Sequence, residues 1–203
     1  MRYFPVTQVK ICSITNVEDA LLAARYGADA LGLIFCESKR RIVPEQAREI
    51  VRALPPFVGT VGVFMDQPLE FVQQVIQTTG VQVVQLHGEE PPEYCRQIGR
   101  RVIKRIKVQS SDTQPFVEDR IKPYADYNIL LDPGAGDGEI FNWRIVSKLK
   151  TPFILAGGLN PDNVWAAIQL ARPVGVDVSS GVEARPGKKD PDKLKAFIQE
   201  VKV

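Results

Sequence analysis

The sequence predicts an α/β protein: a single (β/α)8 barrel spanning residues 1–203, with trimmed loops. Three observations predict it. Eight short apolar runs alternate with segments of helical spacing along the chain, a pattern that implies right-handed βαβ units and a parallel sheet. The last two of those runs end in small residues, Gly157-Gly158 and Ser179-Ser180-Gly181, where such barrels carry their phosphate cup. The chain has 203 residues, near the floor of about 200 for this fold and short of the usual value of about 250. The competing architecture is an open doubly wound sheet. No GxGxxG turn follows the first strand, which weighs against a dinucleotide-binding version of that alternative.

The elements follow in order. A first strand covers 9–13; Asn16 caps a helix over 17–26, and Gly27 stops it. Strand two covers 30–35, a polar turn 37–41, and a helix 44–54 begins with Pro44 and ends before Pro55-Pro56. Strand three, 58–64, leads to a helix over 69–78. Strand four, 81–86, leads to His87-Gly88 and a helix that opens near Pro91-Pro92 and ends at Gly99. Strand five covers 102–108, and a short helix fits before Pro123. Strand six, 128–131, ends in Asp132; a glycine-rich loop over 133–140 and a helix over 142–149 come next. Strand seven, 153–156, breaks at Gly157-Gly158, after which Asn160 caps a helix with Pro161 and Asp162 in its first turn. Strand eight, 174–178, runs into Ser179-Ser180-Gly181, and a helix over 191–201 closes the chain.

Alternate residues of a barrel strand face the interior. That period groups Lys10 with Cys12, Gln85 with His87, Asn128 with Leu130 and Asp132, and Gly175 with Asp177 and Ser179. Cys12, His87, Asp132 and Asp177 therefore converge at the C-terminal mouth, where barrel enzymes do chemistry. On one side of that mouth, the two glycine–serine turns offer backbone N–H groups to an anion. Lys10 has two available roles: an ion pair with a barrel carboxylate such as Asp177, or a cation that lowers the thiol pKa of Cys12.

Composition narrows the class. The chain is 44% hydrophobic and 25% charged with a net charge of +2, which gives no electrostatic case for nucleic acid or membrane. No apolar run is as long as a membrane span. One histidine and no clustered carboxylates argue against a metal site. Cys12, Cys36 and Cys95 are odd in number and lack metal-site spacing; with no signal peptide, they lead us to expect a reducing cytoplasm. A cofactor-free reaction on a small phosphorylated substrate, by a monomer or homodimer, is the reading that remains. A silent sugar-phosphate binder or another phosphosugar isomerase would share the cup, because a fold does not fix a function.

Ordered pieces along nearly the whole chain after about residue 8 resemble the phosphoribosylanthranilate isomerases of tryptophan biosynthesis: VKICSITNVEDALLAARYGADALGLIF, SKRRIVPEQAREI, VGVFMDQ, VVQLHGEEPPEYC, LLDPGAGDGEIFNW, ILAGGLNPDN and VDVSSGVEARPGKKD. The resemblance implies a TIM barrel that needs no cofactor. It implies an Amadori rearrangement of N-(5-phosphoribosyl)anthranilate to 1-(2-carboxyphenylamino)-1-deoxyribulose 5-phosphate. It places the general base on Cys12, the general acid on Asp132, the contact to the anthranilate carboxylate on Arg40, and the phosphate on Gly157-Gly158 and Ser179-Ser180-Gly181. His87 and Asp177 are expected to touch substrate as well. The chain departs from the family pattern in three places. Ser13 replaces the glycine usual after the catalytic cysteine, Glu139 replaces a usual lysine in the loop after strand six, and Arg41 stands where an aromatic residue is common, so that Arg40 and Arg41 compete for the carboxylate role.

Overall fold

The computed structural model describes residues 7–134 and 140–202. Eight parallel strands close into a barrel in chain order: β1 (Gln8–Ile11), β2 (Ala30–Ile34), β3 (Gly59–Phe64), β4 (Val83–Leu86), β5 (Arg101–Lys107), β6 (Asn128–Asp132), β7 (Phe153–Leu155) and β8 (Gly175–Val178). The closing pair sets Lys10 opposite Asp177. Around the barrel lie α1 (Val17–Tyr26), α2 (Pro44–Ala53), α3 (Leu69–Thr79), α4 (Pro92–Gln97), α5 (Gln114–Ile121), α6 (Val164–Ala171) and α7 (Pro191–Lys202).

Local chemistry accounts for the element ends. The Asn16 side chain accepts a hydrogen bond from the Asp19 N–H at 2.8 Å and starts α1, and Gly27 stops it at φ 102°. Pro44 opens α2, where a missing N–H costs nothing. In α7, Leu194, Phe197, Ile198 and Val201 form one buried stripe at helical spacing, and the helix packs on α1, α6 and β1. Each such side chain contributes about 1.5–3 kcal/mol of burial. Most of the core lies between strands and helices, with Phe35 stacked on Phe64 at 5.3 Å between ring centres. The barrel interior is thinner: Val61, Ile103, Leu130 and Ala156 fill its centre.

Four sequence expectations need correction and one element was missed; the first strand, expected over 9–13, ends at Ile11. The helix expected over 142–149 is a single 3-10 turn, Trp143–Ile145; Asn142 caps it by accepting from the Arg144 N–H, and the chain spends the remaining residues burying Val146 before β7. Asn160 does not cap α6. Its side chain closes a local turn onto the Asp162 N–H, a competing use of a short polar side chain, so Asn163 holds the cap position and the helix begins at Val164. Residues 81 and 82 precede β4 rather than forming part of it. A two-stranded hairpin, β9 (Glu183–Arg185) with β10 (Lys188–Lys189), follows β8 and was not foreseen. The loop residues 135–139, which include Glu139, lie outside the described residues.

Candidate active site

The floor of the barrel mouth is an ion pair. Lys10 Nζ donates to both oxygens of Asp177 at 2.9 Å, with both side chains buried. The facing carboxylate holds the Lys10 ammonium above its ordinary pKa despite desolvation. Cys12 sits one residue past β1, its N–H bonded to Val178 O at 2.8 Å, and is 7% exposed. Space for the thiol comes from β2: a Cβ added at Gly32 would lie 2.7 Å from Cys12 Sγ and 3.0 Å from Lys10 Nζ. Burial pushes the Cys12 thiol up, and the opposing pull of Lys10 does not overcome it. Lys10 fills both roles open to it: it is paired with Asp177, and it pulls the Cys12 thiol down by charge and hydrogen bond, though by less than burial pushes it up.

Asp132 ends β6 at the same mouth. Desolvation raises its carboxyl to about 6, with Asp177 pushing the same way and the Gly134 N–H and Arg105 pulling back. His87 Nε2 lies 3.4 Å from Asp132 Oδ2, and its Nδ1 lies 3.1 Å from Gln85 Nε2. Desolvation, then the nearby Arg105 charge, lower the imidazole to about 4, so it is neutral near pH 7. With Gln85 donating to Nδ1, the ring proton sits on Nε2 and faces Asp132. Arg105 reaches the Gly134 carbonyl at 3.3 Å and brings a cation to within Coulombic reach of both groups.

The rim carries the anion-binding parts. Arg40, in the turn after β2, lines the pocket together with Cys12, His87, Asp132 and the loops after β7 and β8. Its neighbour Arg41 is exposed, with its backbone bridged to Ile34. Arg40 is not loose: Nε donates to Glu183 Oε1 and Oε2 at 3.0 Å, and Nη2 donates to Oε2 at 2.8 Å. Gly157, Gly158, Ser179, Ser180 and Gly181 all line the pocket, and Gly157 and Gly158 adopt φ of 94° and 60°. A Cβ at Gly181 would overlap the Leu159 carbonyl, so the two cup loops touch backbone to backbone. Ser13 also has φ 64°, a left-handed conformation that disfavours side chains, which gives a physical reason for glycine at this position. Its hydroxyl meets Ser179 Oγ at 2.6 Å, tying the thiol loop to the cup.

All ten residues expected at the site lie on this pocket. One has a partner that the sequence reading did not assign, since His87 faces Asp132; Asp177 takes the Lys10 ion pair that was one of the two roles open to that lysine. Four contributors were missed. Gly32 and Arg105 were readable from strand alternation, as Arg105 shares its face with Ile103; Glu183 and Lys189 sit on a hairpin with no period to read. Among the described residues no group of three or more His, Cys, Asp or Glu could hold a metal ion, and no helix is long and apolar enough to cross a membrane.

Comparison with known proteins adds independent findings. The family model for N-(5'phosphoribosyl)anthranilate (PRA) isomerase matches residues 9–200. The N-(5'-phosphoribosyl)anthranilate isomerase of Pelobacter propionicus is 50% identical over 201 residues, covering 95% of this chain and 94% of that one. The Geobacter metallireducens enzyme of the same name is 47% identical and covers 97% of this chain and 100% of its own. The crystal structure of phosphoribosyl anthranilate isomerase from Thermotoga maritima superposes with a TM-score of 0.88 at 45% identity, covering 97% of this chain and 98% of that one. A phosphoribosyl anthranilate isomerase in complex with reduced 1-(o-carboxyphenylamino)-1-deoxyribulose 5-phosphate gives a TM-score of 0.86 at 45% identity, with the same coverage.

Proposed function

The chain belongs to the N-(5'-phosphoribosyl)anthranilate isomerase family, and we propose that it performs the family reaction by general acid–base catalysis between Asp132 and Cys12. The activity is the Amadori rearrangement of N-(5'-phosphoribosyl)anthranilate in tryptophan biosynthesis. The observation that carries the mechanism is one pocket in which a carboxyl raised to about 6 and a buried thiol share a mouth with an arginine and an anion cup. Protonated Asp132 gives its proton to the ribose ring oxygen, and the ring opens to a protonated Schiff base. The C2' proton, made acidic by that cation, goes to the Cys12 thiolate. The enolamine then takes a proton at C1' and releases one from the C2' hydroxyl, which returns both side chains to their starting forms. His87 and Arg105 hold the Asp132 carboxylate left after the first step.

The test is direct: the purified protein should consume N-(5'-phosphoribosyl)anthranilate, followed by anthranilate fluorescence, and should restore growth to a tryptophan auxotroph lacking this isomerase. A folded protein inert in both assays would overturn the reading. Every residue invoked comes from one chain, so a monomer and a homodimer both have complete sites. The free thiols Cys12, Cys36 and Cys95 suit a reducing cytoplasm.

Two binding predictions arise here. Arg40 is assigned the anthranilate carboxylate, because a guanidinium matches a carboxylate with paired hydrogen bonds. Arg40→Ala should weaken substrate binding by about 2–4 kcal/mol, the range for truncating one partner of a hydrogen-bonded charge pair, whereas exposed Arg41→Ala should leave KM in place. The reverse pattern in steady-state kinetics would move the role to Arg41. The phosphate is assigned to the cup. Inorganic phosphate should compete with substrate, and Gly181→Ala, which drives a methyl against the Leu159 carbonyl, should abolish that competition. Undiminished phosphate inhibition in this variant would place the anion elsewhere.

A further inference from the structure

We infer that Glu183 and Lys189, on the hairpin after the last barrel strand, are positioning residues for Arg40: the carboxylate aims the guanidinium and the lysine cancels the carboxylate's charge. The inference deepens the assignment of Arg40 to the substrate's aromatic carboxylate and rests on it. Glu183 accepts from one edge of Arg40, through Nε at 3.0 Å and Nη2 at 2.8 Å. Among the described residues Arg40 Nη1 has no hydrogen-bond partner, which leaves the other edge of the fork for a ligand. The paired contacts through Nε and Nη2 fix the plane of the guanidinium, so a ligand carboxylate meets a group that has already lost its rotamer freedom.

A glutamate alone in this place would defeat binding. It would neutralise Arg40 and repel the incoming carboxylate across the same fork. Lys189 removes that conflict. Its ammonium is 0% exposed and lies 3.3 Å from Glu183 Oε1, and it also donates to the Ser179 carbonyl at 3.1 Å. Glu183 is therefore shared between two cations; desolvation pushes its carboxyl up, but Arg40 and Lys189 together hold it below its ordinary value. Burial pulls the Lys189 ammonium below its ordinary value and Glu183 opposes that pull; with Lys189 protonated, the three side chains sum to one positive charge at the pocket wall. A buried, fully wrapped lysine is an expensive feature, and among the described residues no other carboxylate pairs with it. The same lysine grips the backbone of the phosphate cup, so one network sets both ends of the substrate.

Charge arithmetic supplies the test, read as KM against kcat for N-(5'-phosphoribosyl)anthranilate, with folding checked by circular dichroism. Lys189→Met makes the wall neutral and should raise KM at least about 10-fold; it also removes a cation that pulls the Cys12 thiol down, so any fall in kcat is scored apart from the rise in KM. Lys189→Met combined with Glu183→Gln restores the single positive charge and keeps an acceptor for Arg40, so it should recover most of the lost affinity. Glu183→Ala, which frees Arg40 to swing, should raise KM where Glu183→Gln does so less. If Lys189→Met leaves KM unchanged, if the double variant is no better than the single one, or if Glu183→Ala binds substrate as tightly as the unmodified chain, the inference is wrong. Should Lys189→Met fail to fold, the Glu183→Ala and Glu183→Gln pair decides alone. Arg40→Ala separates the two levels: a silent Arg40→Ala sinks the carboxylate assignment itself, while a damaging Arg40→Ala beside silent hairpin variants sinks only the positioning role.

Discussion

Asp132→Asn is expected to cut kcat by at least about 100-fold, the low end for losing a general acid, and at the same time to make the protein more stable at pH 7. Both effects follow from one fact: the carboxyl is raised from 3.8 to about 6 by burial. At pH 7 about one molecule in ten then carries the proton that the ring oxygen needs, against roughly one in a thousand for an ordinary aspartate. An amide supplies no such proton, so ring opening loses its acid. Stability runs the other way. Below 3.8 folded and unfolded chains are both protonated and the shift costs nothing. As pH rises through about 6 the folded chain must hold a buried carboxylate, and the full cost is about 3 kcal/mol. The amide of the variant carries no charge; its oxygen can still accept from the Gly134 N–H, as the Asp132 carboxylate does at 3.1 Å, and its NH2 can donate to His87 Nε2 once the ring proton moves to Nδ1 and Gln85 turns its amide oxygen to it. For a chain of this size each kcal/mol recovered moves the melting temperature by about 2–4 °C. Thermal melts should show the variant gaining several degrees at pH 7 and little at pH 4. Equal shifts at both pH values would mean that the buried charge is not the cause.

The barrel was readable because its strands are short, apolar and separated by proline, glycine and asparagine stops, so that periodicity alone orders them. The mouth was readable for the same reason: a residue that ends a strand on the inward face, such as Asp132 or Asp177, has only one place to point. What alternation cannot reveal is which inward groups pair with one another. Asp177 was one candidate partner for Lys10, but choosing it over the other inward groups needs the register between β1 and β8, which sets the two opposite each other. Nor can periodicity find contacts made by irregular chain. Glu183 meets Arg40 across 143 positions of sequence, through a hairpin whose strands are three and two residues long. The departure at Ser13 was legible as a residue type, and only the φ of 64° explains why glycine suits the position.

Cys12→Ala is expected to cut kcat by at least about 100-fold, with Cys12→Ser nearly as poor, because a hydroxyl is far less acidic than a thiol. KM should hold in both, since the cup and Arg40 are untouched. The pH profile carries the sharper test. Lys10 is committed to Asp177, and burial raises the thiol above its ordinary 9.0, so the acid at about 6 is stronger than the conjugate acid of the base. The reactive form, protonated Asp132 with Cys12 thiolate, therefore holds the same number of protons as the dominant form, ionised Asp132 with Cys12 thiol. Between the two pKa values their ratio does not change with pH. It is small, because the thiol lies well above the acid. Below about 6 the dominant form gains a proton and the thiolate is lost; above the thiol pKa it loses one and the acid is lost. The kcat/KM of the native chain should thus be flat from about pH 6 up to the raised pKa of the thiol and fall on both sides. Once the ring opens, the Schiff-base cation beside the sulfur favours the thiolate, which is how so small a fraction can sustain turnover. In Cys12→Ser the alkaline fall should move out of the measurable range, because the hydroxyl does not titrate there. An activity that instead climbs steadily across that plateau would mean that the thiol alone titrates and that Asp132 does not need its proton. Near-normal turnover in Cys12→Ala would remove the thiol from the mechanism and leave Asp177 and His87 as the remaining bases at the mouth.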